Sequence, residues 1–231
     1  MTNRDKLKEM FTLQQKLNDN TNGVGWEAGY TKQDRQINWR RCTYMELAEL
    51  VDSFNWKHWK DINIAPDWDN VKIEVVDIWH FIMSLGLEEY KLKNKGDIDI
   101  LVEYTSETKC FNDFVNEAQN VSSEDIFMII NTIEHFIKDT INGDDYNKLI
   151  DDFFEMALQC GLNIDILFKH YIAKNVLNEF RQANGYKEGT YKKTWGLKED
   201  NIVMLEILEE KMLSADELYN ELEVSYKKIS S

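Results

Sequence analysis

Between Ile73 and Leu85 the chain reads IEVVDIWHFIMSL, an apolar run long enough for several helical turns. From Ile73 to Met83 its polar side chains, apart from the Trp79 indole N–H, are Glu74, Asp77 and His80. They recur at i, i+3 and i+6 and share one side of a helix. A helix apolar on nearly every side is buried. A buried carboxylate costs several kcal/mol unless a cation or hydrogen bonds compensate it. No Lys or Arg occurs between Ile73 and Tyr90, so the compensating charge must come from elsewhere. This segment therefore predicts a central helix, from about Asp69 to Asn94, that carries chemistry on one stripe.

A second acidic pair, Glu46 and Glu49, lies three residues apart on a helix predicted from about Asn38 to Lys60. An ExxE pair alone is weak evidence, because such spacing is common on solvated faces. Joined to Glu74 and Asp77 it makes four hard oxygen ligands, suited to Mg2+ or Mn2+ rather than zinc or copper, with room for two or more ions. Magnesium shares its coordination with water and substrate phosphates, so such a set suits water-mediated cleavage of a phosphoanhydride.

Charge distribution adds a second constellation. The 231 residues carry 27 Lys and Arg against 42 Asp and Glu, a net charge of −15 that argues against nucleic-acid polymers as partners. From Lys169 to Lys198 the sign reverses, with seven basic residues against two Glu. Lys174, Asn178 and Arg181 fall on one helix face, and Tyr186, Tyr191, Lys192 and Lys193 follow in the glycine-punctuated loop NGYKEGTYKKTWG. Such a set can clamp phosphate oxygens, although a solvated basic loop would read the same way. Gln14 and Asn18 are a third feature: each amide donates and accepts at once and can read a pyrimidine edge, or simply join helices.

A single proline, ten glycines and abundant Leu, Ile, Glu, Lys and Asn favour an all-α fold. Further helices are expected from about Asp5 to Asn20, weakly from Gly96 to Gln119, from Ser122/Ser123, from Asp144 to Cys160 and from Asn163 to Ala183, with two acidic helices last. Thr21 to Thr31, with Gly23, Gly25 and Gly29, reads as a loop. We expect a single domain over 1–231, bundle-like, with rigid helices at about 1–95 and 144–183, a mobile or variable helical part at about 96–143, and a phosphate-clamp loop at about 184–196. Cys42, Cys110 and Cys160 are an odd number at wide spacing, which gives neither a disulfide framework nor a CxxC metal site and suits a reducing cytoplasm. The charged N-terminal stretch does not read as a signal peptide, and no segment has the apolar length to span a bilayer.

With ELAE at Glu46–Glu49 and EVVD at Glu74–Asp77, the chain resembles the dimeric all-α dUTPases of the all-α nucleoside triphosphate pyrophosphatase superfamily. LQQKLND from Leu13, GYTK from Gly29, WRRCTYMELAELVDSFNWKHWK from Trp39 and KNVLNEFRQANGYKEGTYKKTW from Lys174 are similar to the dUTPase branch, the last being the most specific. The resemblance implies hydrolysis of dUTP, and of dUDP, to dUMP by attack of a magnesium-bound water on the β-phosphorus. It implies that Glu46, Glu49, Glu74 and Asp77 hold the metals, that Glu46 is the general base, and that Gln14 and Asn18 read uracil. Lys174, Asn178, Arg181, Tyr186, Lys192 and Lys193 would grip phosphates or sugar, with Trp56, His80 and Phe81 as wall residues. It also implies an intertwined homodimer, in which Trp56 to Lys60 reaches the partner's site. Two other enzymatic readings stay open: a pyrophosphatase for another nucleotide such as dCTP, and a di-metal carboxylate oxidase imitated by Asp77 and His80. A non-enzymatic acidic interaction protein would leave both the charged stripe of Ile73–Met83 and the basic reversal unexplained.

Overall fold

Capping and periodicity account for most helix boundaries in the computed structural model, which describes residues 1–60, 64–116, 126–143, 145–210 and 213–230. Helix α1 (Asn3–Asn22) opens on Thr2, whose hydroxyl accepts from the Asp5 N–H while the Asp5 carboxylate accepts from the Thr2 N–H, a reciprocal capping box. It buries Leu7, Met10, Phe11, Gln14 and Asn18. The next segment turns on Gly23, Gly25 and Gly29, all at positive φ, around a short 3-10 turn at Trp26–Ala28. Asn38 caps α2 (Trp39–Asp52), and Asp67 caps α3 (Trp68–Leu92).

Helix α2 stops eight residues before the Lys60 expected from its pattern. The reason is tertiary. The Ser53 carbonyl accepts from the Asp67 N–H at 2.9 Å, and its hydroxyl accepts from Asn70 Nδ2 at 2.8 Å. These bonds fix the chain on the start of α3 at the point where α2 would otherwise continue.

Helix α3 is the centre of its unit, packing against α1, α2, the α4 helix (Ile98–Glu107) and the α7 helix (Tyr146–Gln159). Fully buried Trp79 meets Phe11, Phe153 and Phe154, with Phe153 stacked at a centroid distance of 4.6 Å. Gly86 permits the close approach of α7: a Cβ there would stand 2.6 Å from the Tyr146 ring. The stretch expected as one weak helix after Gly96 is two, α4 and α5 (Lys109–Asn116), broken where Thr108 adopts extended backbone. Helix α6 (Ile126–Asn142) packs on α2 and α7; the start expected at Ser122/Ser123, with Glu124 and Asp125, lies outside the described residues. Asp145 caps α7, and the expected first residue, Asp144, is likewise outside them.

The chain divides into two compact units, Met1–Phe168 and Lys169–Ser231, and α8 (Ile164–Ala183) crosses the division. In the second unit a small antiparallel hairpin, β1 (Thr194–Trp195) with β2 (Lys198–Glu199), turns at Gly196 and leads into α9 (Asp200–Glu210) and α10 (Ala215–Ser230). This hairpin is the only named sheet among the described residues, so the fold is all-α, as expected. No helix among them is long and apolar enough to cross a membrane.

Candidate active site

Helices α2 and α3 lie side by side, and their spacing of acidic residues turns two weak local patterns into one cluster. Glu46 from α2 and Glu74 and Asp77 from α3 each offer a carboxylate oxygen within 4.8 Å of the others. Glu74 is buried, and Glu46 and Asp77 are half-buried. Three like charges so close raise the free energy of the folded chain unless a cation or hydrogen-bond donors compensate them. The donors are hard oxygens with no histidine or thiolate among them, so the set fits a magnesium-like ion.

Glu49 is exposed, one turn along α2, and is not a member of that trio. It lines, with Glu74, Asp52, Asn70, Met45 and Ala48, a cavity of about 380 Å³. Asn70 escaped the sequence reading: its side-chain N–H₂ donates to Glu74 Oε1 at 3.1 Å and to Ser53 Oγ, so it steers the Glu74 carboxylate from one turn away. The only local signal was its position four residues before Glu74. Trp56 follows the end of α2, where its indole N–H donates to Asp52 Oδ1 at 3.1 Å and Lys57 Nζ stands 5.5 Å from its ring centroid.

Gln14 and Asn18 are brought together with His80 on the inward side of α3. Gln14 Nε2 donates to Asn18 Oδ1 at 3.0 Å and to Ser84 Oγ at 3.1 Å, and Asn18 Nδ2 donates to the same Ser84 oxygen at 3.0 Å. The Ser84 hydroxyl in turn donates to the His80 carbonyl at 2.7 Å. His80 Nδ1 lies 2.6 Å from Gln14 Oε1; the amide's assigned orientation makes the ring nitrogen the donor. Buried polar groups satisfied in this way are rigid, and both amides are held in one orientation. Ser84 was missed because a serine in an apolar helix gives no local cue to a shared hydroxyl. Phe81 is stacked on Trp39, which meets Trp26 edge to face.

In the second unit the basic residues fall into two groups. Lys174 and Arg181 are buried, and their partners lie at the start of α9. Lys174 Nζ donates to Asn201 Oδ1 at 3.0 Å. Arg181 grips the fully buried Asp200 through Nε and Nη2, both at 2.8 Å, and also reaches Asn178 Oδ1 and Asn201 Oδ1. Burial alone would raise the Asp200 pKa, but the Arg181 guanidinium and the Tyr191 hydroxyl overcome it and hold the carboxyl below its ordinary value. Lys192, Lys193 and Tyr186 are exposed, and Lys193 Nζ stands 5.8 Å from the Tyr186 ring centroid. Nothing local in the sequence distinguishes Asp200 and Asn201, whose partners Arg181 and Lys174 lie nineteen or more residues earlier.

An all-helical frame carrying acidic residues from two adjacent helices, with a rigid pair of amides on a third, has the architecture of an all-α hydrolase of phosphorylated small molecules. A family model described as dUTPase matches residues 6–186, and the chain belongs to that family. It is an enzyme, a dUTP diphosphatase, acting on a nucleotide rather than serving only as an interaction module. Comparison with curated proteins found no match. Membership leaves the di-metal oxidase reading without support, and the only carboxylate cluster of ligand spacing among the described residues contains no histidine.

Proposed function

We propose that the chain carries out Mg2+-dependent hydrolysis of dUTP to dUMP and pyrophosphate, and of dUDP to dUMP and phosphate. The observation that carries this reading is the convergence of Glu46, Glu74 and Asp77 within 4.8 Å. Together with Glu49 these residues would hold two or more Mg2+ ions, for which Mn2+ could substitute. Bound magnesium would neutralise phosphate charge and acidify water.

Glu46 accepts the proton of the attacking water on a carboxylate oxygen; half-buried, it can keep contact with solvent while facing the cluster. Attack at the β-phosphorus breaks its bond to the oxygen that bridges it to the α-phosphorus, and dUMP leaves with that oxygen. Asn70 keeps Glu74 turned toward the cluster. Gln14 and Asn18, locked by Ser84 and His80, present a fixed pattern to the uracil edge, with His80, Phe81 and Trp56 as wall residues. Lys192, Lys193 and Tyr186 meet phosphate oxygens, and Lys174, Asn178 and Arg181 complete the phosphate or sugar contacts.

The assembly is a homodimer, and the three free cysteines suit a reducing compartment such as the cytoplasm. Nucleoside monophosphate release from dUTP, dUDP, dCTP, dTTP and UTP, with magnesium and with a chelator, tests the reading. Release confined to the two deoxyuridine nucleotides and abolished by the chelator is expected. Equal release from dCTP would overturn the assignment of Gln14 and Asn18, and undiminished release in the chelator would overturn the metal.

A further inference from the structure

Lys192 and Lys193 sit in an exposed loop, yet three of their backbone polar groups are held by hydrogen bonds. The Lys192 N–H donates to the Tyr226 hydroxyl at 3.2 Å. The Lys192 carbonyl accepts from the Trp195 indole N–H at 2.8 Å, and the Lys193 carbonyl accepts from the Asp200 N–H at 2.9 Å. The preceding residue, Tyr191, donates its hydroxyl to Asp200 Oδ2 at 2.7 Å and stacks on the Tyr226 ring at 5.2 Å, with 18° between the planes. Trp195 is buried against Tyr226 and Phe180. A solvated lysine loop needs none of this. Long, flexible side chains gain most as ligands when the backbone from which they project is fixed.

We infer that Tyr226 of α10, with Tyr191 and Asp200, forms a positioning frame that holds the loop in the conformation in which Lys192 and Lys193 meet substrate phosphate oxygens. The frame rests on the proposed role of those lysines as phosphate ligands, and extends it to a helix outside the matched residues 6–186. None of its three members needs to touch the substrate. They are positioning residues acting through the lysine backbone, and they make α10 part of the catalytic apparatus rather than a terminal appendage.

A double-mutant cycle on dUTP turnover tests the frame. Tyr226→Leu is expected to lower kcat/KM about tenfold, because small misplacements of charged ligands are costly in the transition state. Tyr226→Phe keeps the stack and removes the acceptor for the Lys192 N–H, so its loss should be about threefold. In a background carrying Lys192→Ala and Lys193→Ala, both substitutions should change kcat/KM by less than about twofold, since the groups they position are gone. If the double-lysine variant turns over dUTP like the unmodified chain, the lysines are not phosphate ligands, and the frame falls with them. If that variant is impaired but the Tyr226 changes cost nothing, or cost the same in both backgrounds, the frame alone is overturned. Should Tyr226→Leu fail to fold, Tyr226→Phe decides by the same comparison.

Discussion

The acidic cluster on α2 and α3 and the Arg181–Asp200 pair of the second unit are both built from charged side chains with low exposure, and they do opposite things to the fold. Glu46, Glu74 and Asp77 bring like charges within 4.8 Å, whereas Arg181 and Asp200 bring opposite charges to 2.8 Å through two parallel hydrogen bonds. Like charges in the first arrangement repel and a cation would relieve them; the second compensates its own desolvation. Clustered like charges are the arrangement expected at a site of chemistry, while the opposite charge of Asp200 fixes the Arg181 guanidinium in place.

Thermal or denaturant unfolding in metal-free buffer separates the two most sharply. Asp200→Ala leaves the Arg181 guanidinium buried without its carboxylate and should cost about 3–5 kcal/mol. Glu74→Gln in the same buffer should leave the transition unchanged or move it upward, because it removes one of three mutually repelling charges and keeps an oxygen for Asn70. A large destabilisation from Glu74→Gln would make the cluster structural and erase the contrast.

A smaller effect sharpens the comparison within the first unit. Burial raises the Glu88 pKa to about 7; Arg40 opposes the rise, while Glu27 and Glu89 add to it. The unfolded chain releases this proton near the ordinary glutamate value of 4.5. Between those values the folded state binds more protons than the unfolded, so the contribution of Glu88 to stability falls as pH rises and levels off above about 7. Asp200 has the opposite sign: its lowered pKa stabilises the fold above the ordinary aspartate value, and that contribution is lost as pH falls through the folded value. Melting temperatures from pH 5 to 8 should therefore decline less in Glu88→Gln than in the unmodified chain; parallel curves would contradict the assignment.

What could be read from the sequence follows the same division. The apolar run at Ile73–Met83 announced α3 and its charged stripe because burial and helical period are local properties. The carboxylate pairs were visible for the same reason, although that three of the four would converge depended on how α2 packs on α3. Ser84 and Asp200 were invisible, since each owes its role to a partner elsewhere, two amides on α1 and an arginine nineteen residues earlier, while Asn70 gave no more than its spacing from Glu74. The early end of α2 and the Thr194–Glu199 hairpin were missed likewise, because Ser53 is claimed by Asp67 and Asn70, and Lys192 and Lys193 by Trp195, Asp200 and Tyr226.

The central claim, that the α2–α3 cluster is a cation site, is tested most directly by the melting temperature of the unmodified chain and of Glu74→Gln during a Mg2+ titration without nucleotide. A ligand that binds only the folded state at a hundred times its dissociation constant stabilises by about 2.7 kcal/mol. The melting temperature of the unmodified chain should therefore climb with magnesium, while that of Glu74→Gln should barely move. Equal responses, or none in either protein, would contradict the claim.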